Sequence, residues 1–143
     1  MKKNMIIIAA VVSALSFSLP AVADAGDSPT LKRIQDSGTV NIGHRETSIP
    51  FSYIGANNEP EGYSIDLCHK IVDAIKEELG VSSLDINYVP VTGQTRIPLI
   101  ANGTIDMECG STTNNLTRQK QVEYLPTTFI TGTKIASKMG SGI

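Results

Sequence analysis

Between Ser64 and Leu79 the apolar residues Ile65, Cys68, Ile71, Val72, Ile75 and Leu79 recur at the spacing of one helical face, while Lys70, Asp73, Lys76 and Glu77 fall on the other. This predicts an amphipathic helix that lays one side on a sheet and stops at Gly80. A shorter helix is expected over residues 29–37, with Ser28 as its cap, Pro29 in its first turn and Gly38 as its stop. A third is expected from Gln94 to Asn102, with Pro98 in its first turns and Gly103 after it. The stretches between them read as strands: Thr39 to Gly43, Leu84 to Val89 and Ile105 to Glu108. Pro50 to Tyr53 reads as extended, Gly55 to Pro60 as a turn cluster of the kind that joins hairpin strands, and Thr128 to Ser137 as a further strand.

The order β-α-β-α-β implies an α/β fold with a parallel-rich sheet, right-handed crossovers and helices on its faces. Ligands in open sheets of this kind bind outside the carboxyl ends of the strands. That rule selects His44-Arg45, the stretch Thr92 to Arg96, and Gly110 to Thr113, each with an arginine in reach. The last of these carries the most chemistry. Ser111, Thr112 and Thr113 offer hydroxyl donors, a helix starting near Asn114 would aim its free N–H groups at the same spot, and Arg118 would close on an anion with a bidentate fork. The expectation is a site for a small acidic molecule. The plainer alternative is a helix capped by Thr113, with Arg118 a solvated surface charge.

Residues 1–23 change the picture of where the protein works. Lys2 and Lys3 precede an almost wholly apolar Met5 to Leu19, and Pro20-Ala-Val-Ala23 is a small-residue cleavage pattern, so this is read as a secretory signal peptide cut near Ala23. Its loss removes two of the twelve basic residues and none of the fourteen acidic ones, leaving a net charge of −4. That balance does not suit a nucleic-acid surface, and it makes Arg45, Arg96 and Arg118 candidates for local work. His44, His69, Cys68 and Cys109 do not form a metal-ligand set, and no cofactor is expected. In an oxidising compartment Cys68, on the apolar helix face, and Cys109, at a strand end, are either plain core or a disulfide if helix and strand pack directly.

At Gly62-Tyr-Ser-Ile-Asp-Leu-Cys-His-Lys-Ile71 the chain resembles the signature of the periplasmic solute-binding proteins of polar amino acid ABC importers, solute-binding protein family 3. The likeness runs from about Leu31 to the end. The stretches Gly43 to Tyr53, Arg96 to Thr104 and Glu108 to Asn115 look like its glutamate/aspartate-binding branch. The resemblance implies a periplasmic-binding-protein-like fold in which two lobes close on an amino acid. Residues 24–133 would be the first lobe and 134–143 the start of the crossover, with the second lobe missing. It implies that Arg118, with Ser111 and Thr113, grips the ligand's α-carboxylate, and that Arg45 and Arg96 meet a side-chain carboxylate.

The function so implied is non-catalytic: a periplasmic monomer that captures glutamate or aspartate and delivers it to a membrane permease. Ser64, where the broader family usually has an acidic residue, and Gly93, where this branch often has a serine, depart from the pattern. The second lobe would supply the partner for the ligand's ammonium group, and burying that charge unpaired costs several kcal/mol. The chain as it stands is therefore expected to bind weakly or not at all. The alternatives are a dehydratase-like enzyme on the same fold, recruiting His44 and Glu46, and a non-functional remnant.

Overall fold

In the computed structural model, which describes residues 28–140, a short helix leads into a central strand bonded on both sides. The leader expected over residues 1–23 lies outside the described residues. Helix α1 (Pro29–Ser37) is capped as its sequence demands. The Ser28 hydroxyl accepts from the Leu31 N–H, and Gly38 ends the helix at φ 67°, returning its N–H to the Ile34 carbonyl at 2.8 Å. Strand β1 (Thr39–His44) pairs in parallel with β5 (Asp85–Pro90) along its whole length and with β6 (Met107–Cys109) over its last three residues. The sheet order is β5-β1-β6.

Between β1 and β5 lie a small antiparallel sheet and the long helix. Strands β2 (Thr47–Ser48), β3 (Ser52–Ile54) and β4 (Pro60–Glu61) form the sheet in the order β2-β3-β4, with residues 55–59 as the hairpin loop. Helix α2 (Tyr63–Leu79) starts at Gly62, whose φ of 123° and crowding exclude other residues. A Cβ there would stand 2.7 Å from the Pro50 carbonyl oxygen. That closeness serves the helix, because the Tyr63 and Ser64 N–H groups donate to the Pro50 and Phe51 carbonyls at 2.9 and 2.8 Å.

The core follows the periodicity of α2. Ile65, Cys68 and Val72 pack with Ile34, Val40, Ile42 and Cys109, and Ile75, Leu79, Leu84, Ile86, Tyr88 and Met107 close its margin. Cys68 and Cys109 are joined in a disulfide with Cα atoms 6.3 Å apart, so α2 is tied covalently to the end of β6. Side chains alternate across a strand, so Cys109 on the α2 face sends Glu108 to the opposite face. Helix α3 (Arg96–Ala101) lies there, two residues shorter at its start than expected. Hydroxyls of Thr92 and Thr95 take the N–H groups of residues 92, 94 and 95 and hold them in a turn.

Two expectations are corrected. Thr128 to Ser137 is not a strand. It is exposed, and β-branched residues make a strand only where another backbone bonds to theirs; among the described residues none does. Its start is tethered, by Phe129 edge-on to Phe51 and by the Tyr63 hydroxyl donating to the Thr128 carbonyl at 3.0 Å. The helix expected near Asn114 is absent, as described below. Strand β6 also begins later than Ile105, because the Asp106 side chain takes the Asn41 N–H at 2.8 Å, while its own N–H donates to the Asn41 carbonyl at 2.8 Å.

Asp106 is buried and also receives the Asn41 amide and the Arg33 guanidinium. Asp106→Ala should lower stability by about 2–3 kcal/mol, since it orphans a buried N–H. Urea unfolding measures this, and Arg33→Ala, at a half-exposed side chain, should cost less. Equal losses would show that the ion pair rather than the backbone bond matters. Reducing the disulfide, which spans a sequence separation of 41, should cost up to about 4 kcal/mol in the same assay.

Candidate functional site

The connection leaving β1 runs to β5 on one side, and the one leaving β5 returns across β1 to β6 on the other. Connections therefore diverge between β1 and β6, and the crevice of an open parallel sheet forms at the carboxyl ends of such a strand pair. Arg45 follows β1, Arg96 opens α3 after β5, and residues 110–113 follow β6.

Arg45 is fixed through its backbone. Ser52, fully buried on β3, accepts from the Arg45 N–H at 2.9 Å and donates back to the Arg45 carbonyl at 3.2 Å. Arg96 is buried against Glu108, its Nη1 3.7 Å from Glu108 Oε1, with the two side chains only 9% and 7% exposed. That separation is an ion pair but too long for a hydrogen bond. Neither atom has a hydrogen-bond partner, nor do Arg96 Nε and Thr112 Oγ1. Burial lowers the pKa of Arg96, as do Arg118 and Arg45 nearby, against the opposing pull of Glu108. Arg45 and Arg118 thus lie within electrostatic reach of Arg96. Burial raises the pKa of Glu108, while Thr112, Arg96 and Arg45 act to lower it.

The loop after β6 is held at both ends. Ser64 at the start of α2 donates to the Gly110 carbonyl at 2.8 Å, and Gly110 must lack a side chain because a Cβ would collide with the Glu108 carboxylate and come 3.0 Å from Arg45 Cγ. Residues 111–115 then run without regular structure in place of the expected helix. The side chain that takes a backbone N–H here is that of Asn115, not Thr113. Its Oδ1 accepts from the Arg118 N–H at 3.0 Å, and only a 3-10 turn, Arg118–Lys120, follows. A run of Ser, Thr and Asn offers the backbone local side-chain partners, which delays helix formation. Arg118 Nη1 donates to the Thr113 carbonyl at 2.8 Å, folding the loop back so that Ser111 and Thr113 are exposed, with Thr112 half-buried behind them.

Three residues of this edge were not singled out as site residues from the sequence: Glu108, Ser52 and Ser64. Glu108 had a signal, an ionisable residue between the apolar Met107 and Cys109 that requires a buried partner. The serines had none, since their importance lies in contacts with segments distant in the chain. His44 and Glu46 do not form an acid–base pair. His44 is buried edge-on against Tyr88, whereas Glu46 is exposed. His69 is exposed at the margin of α2 that borders β5, its Nε2 2.5 Å from the Tyr88 hydroxyl. Among the described residues no group of three or more His, Cys, Asp or Glu is placed to hold a metal ion.

A parallel sheet with its arginines and hydroxyls gathered at the carboxyl edge, flanked by helices, is a lobe of the periplasmic-binding-protein-like fold. Residues 40–143 match the model of the bacterial extracellular solute-binding proteins, family 3, and the chain belongs to that family. It is 52% identical over 135 residues to the L-glutamate/L-aspartate-binding protein of Pseudomonas aeruginosa, covering 94% of this chain and 44% of that one. It is 45% identical over 132 residues to the glutamate/aspartate import solute-binding protein of Escherichia coli, covering 91% and 44%. The chain thus spans less than half the length of these relatives. Among solved structures, an ancestral amino acid-binding protein described as a precursor of cyclohexadienyl dehydratase matches with a TM-score of 0.55 and 26% identity, over 64% of this chain and 37% of that one.

The raised pKa of Glu108 has a definite sign for stability. Folded Glu108 keeps its proton to a higher pH than the unfolded chain does, so its contribution favours the fold below the unfolded value, about 4.3, and is lost as pH rises through the raised folded value. Glu108→Gln should therefore be at least as stable as the parent near neutral pH and lose that advantage in acid. Urea unfolding at both pH values is the check. A variant less stable at neutral pH would mean that the Arg96 pair outweighs the burial cost.

Proposed function

We propose that this chain carries the first lobe of a substrate-binding protein of an ABC importer, which captures glutamate or aspartate outside the cytoplasm and presents it to a membrane permease. The observation that carries this reading is that Arg45, after β1, and Arg118 both act on the buried Arg96, after β5, in a protein of net acidic charge. An excess of guanidinium groups in a partly dry crevice selects a dicarboxylate over an amide or a base. The curated relatives at 52% and 45% identity, which bind or import glutamate and aspartate, support the same ligand class.

In this reading Arg118 takes the α-carboxylate shared by all amino acids, with Ser111 and Thr113 as hydroxyl donors. Arg45 and Arg96 take the side-chain carboxylate. A second lobe, supplied by a longer chain of which residues 24–133 form the first lobe and residues 134–143 begin the crossover, brings the partner for the ammonium group. The protein works as a monomer in the periplasm after removal of residues 1–23. The dehydratase reading has less support, because His44 is withdrawn against Tyr88 instead of facing the crevice.

In a two-lobed chain bearing these residues, Arg118→Ala should abolish binding of every amino acid. Arg96→Ala should cost glutamate about 2–5 kcal/mol and narrow its advantage over glutamine. Calorimetry with both ligands on both variants separates the roles, and equal losses for glutamate and glutamine in Arg96→Ala would place this arginine at the wrong end of the ligand. The export reading has its own check: N-terminal sequencing of the secreted protein should begin at or near Asp24, and an intact Met1 would defeat it.

A further inference from the structure

Glu108 poses a problem for a pocket that admits a dicarboxylic ligand. Its carboxylate stands on the face of β6 turned toward α3, 3.7 Å from Arg96 Nη1, and the pair is nearly shut off from solvent. Yet the pair is incomplete: Arg96 Nε and Nη1 and Glu108 Oε1 have no hydrogen-bond partner. A buried guanidinium with N–H groups left unpaired favours a second acceptor, and a carboxylate reaching the crevice would supply it by opening the closed pair. That arrival puts a second carboxylate beside Arg96, with Arg45 the other guanidinium that acts on Glu108. Two like charges so close raise each other's cost of ionisation, which favours uptake of a proton by one of them.

We propose that Glu108 is a specificity-determining residue which holds Arg96 while the pocket is empty and accepts one proton from solvent, at its unpartnered Oε1, when a ligand's side-chain carboxylate binds. Capture of a dicarboxylic amino acid is then coupled to uptake of a proton, and capture of its amide analogue is not. This rests on the assignment of Arg96 to the side-chain carboxylate. The groups around Glu108 favour Glu108 over the ligand as the proton's destination. Arg96 on α3 and Arg45 after β1 draw its charge, the Thr112 hydroxyl lies on the loop beyond it, and Arg118 and Tyr124 act on Arg96 from farther along the chain. Despite those two arginines, burial already raises the pKa of Glu108, so it is the carboxyl group in this crevice most ready to be neutral. The ligand's carboxylate, reaching the pair from the solvent side, keeps its charge.

The linkage has a testable direction. The ligand-bound state holds one more proton, so affinity for glutamate falls as pH rises between the midpoints of Glu108 in the free and bound protein, while affinity for glutamine stays level. The experiment is a carbon-13 NMR titration of the glutamate side-chain carboxyls of the two-lobed chain, from about pH 3 to about pH 9. It is run alone, with millimolar glutamate and with millimolar glutamine, and Glu108→Gln identifies the resonance by its loss. The expected result is a Glu108 midpoint moved upward by about one pH unit or more with glutamate and unmoved by glutamine. A purely structural role for Glu108 would not produce that difference.

If glutamate perturbs the amides of residues 111–113 but leaves the Glu108 midpoint in place, or if glutamine moves it equally, the inference is overturned while the binding function stands. If neither amino acid perturbs the two-lobed chain, the inference falls together with the assignment of the ligand class.

Discussion

Parallel pairing of β1 with a strand on each side is the constraint from which the candidate site follows. Because β5, β1 and β6 all point the same way, their three exits share one edge of the sheet. Whatever chemistry the chain writes just after each strand must therefore be collected in one place. Arg45, Arg96 and the hydroxyl loop of residues 110–113 are those three words. Antiparallel pairing at either side of β1 would have sent one of them to the far end of the domain.

Collecting positive charge in a crevice of low polarity carries a cost, and the molecule meets it with Glu108. The carboxylate is inserted from β6 on the face opposite the disulfide and lies too far from Arg96 to complete its hydrogen bonding. A closer contact would stabilise the empty domain more and leave Arg96 with less to offer a ligand. Ser52 and Ser64 solve a different problem. They use neutral hydroxyls to fix the backbone of Arg45 and Gly110, so the edge is held in shape without further charge. The geometry thus separates rigidity, assigned to buried serines, from charge balance, assigned to one acid.

Much of this architecture is legible in local sequence because the relevant forces are local. Ser28, Pro29 and Gly38 bracket α1 by capping chemistry, and the recurrence from Ile65 to Leu79 defines both α2 and the face it buries. The parallel order follows from alternation of elements, and the arginine positions from the order. What escaped depends on partners remote in the chain. Thr128 to Ser137 has the composition of a strand, but no described backbone pairs with it. The run after Gly110 looked like the entry to a helix, and the Asn115 side chain and the Arg118 bond to the Thr113 carbonyl set a late 3-10 turn instead. Glu108 reads as one polar residue in an apolar strand until Cys109 is known to point toward α2.

The bridge between Cys68 and Cys109 also gives the domain a history. Small domains are stable by only about 5–15 kcal/mol, so a crosslink worth up to about 4 kcal/mol is a large fraction of the total. Thiols stay reduced in the cytosol and oxidise outside it. On the export route proposed above, the chain is looser while its thiols are reduced and firmer once they are oxidised, when closure of the bridge makes a return to the unfolded state less accessible. A single covalent bond would then act as a compartment-dependent latch on folding.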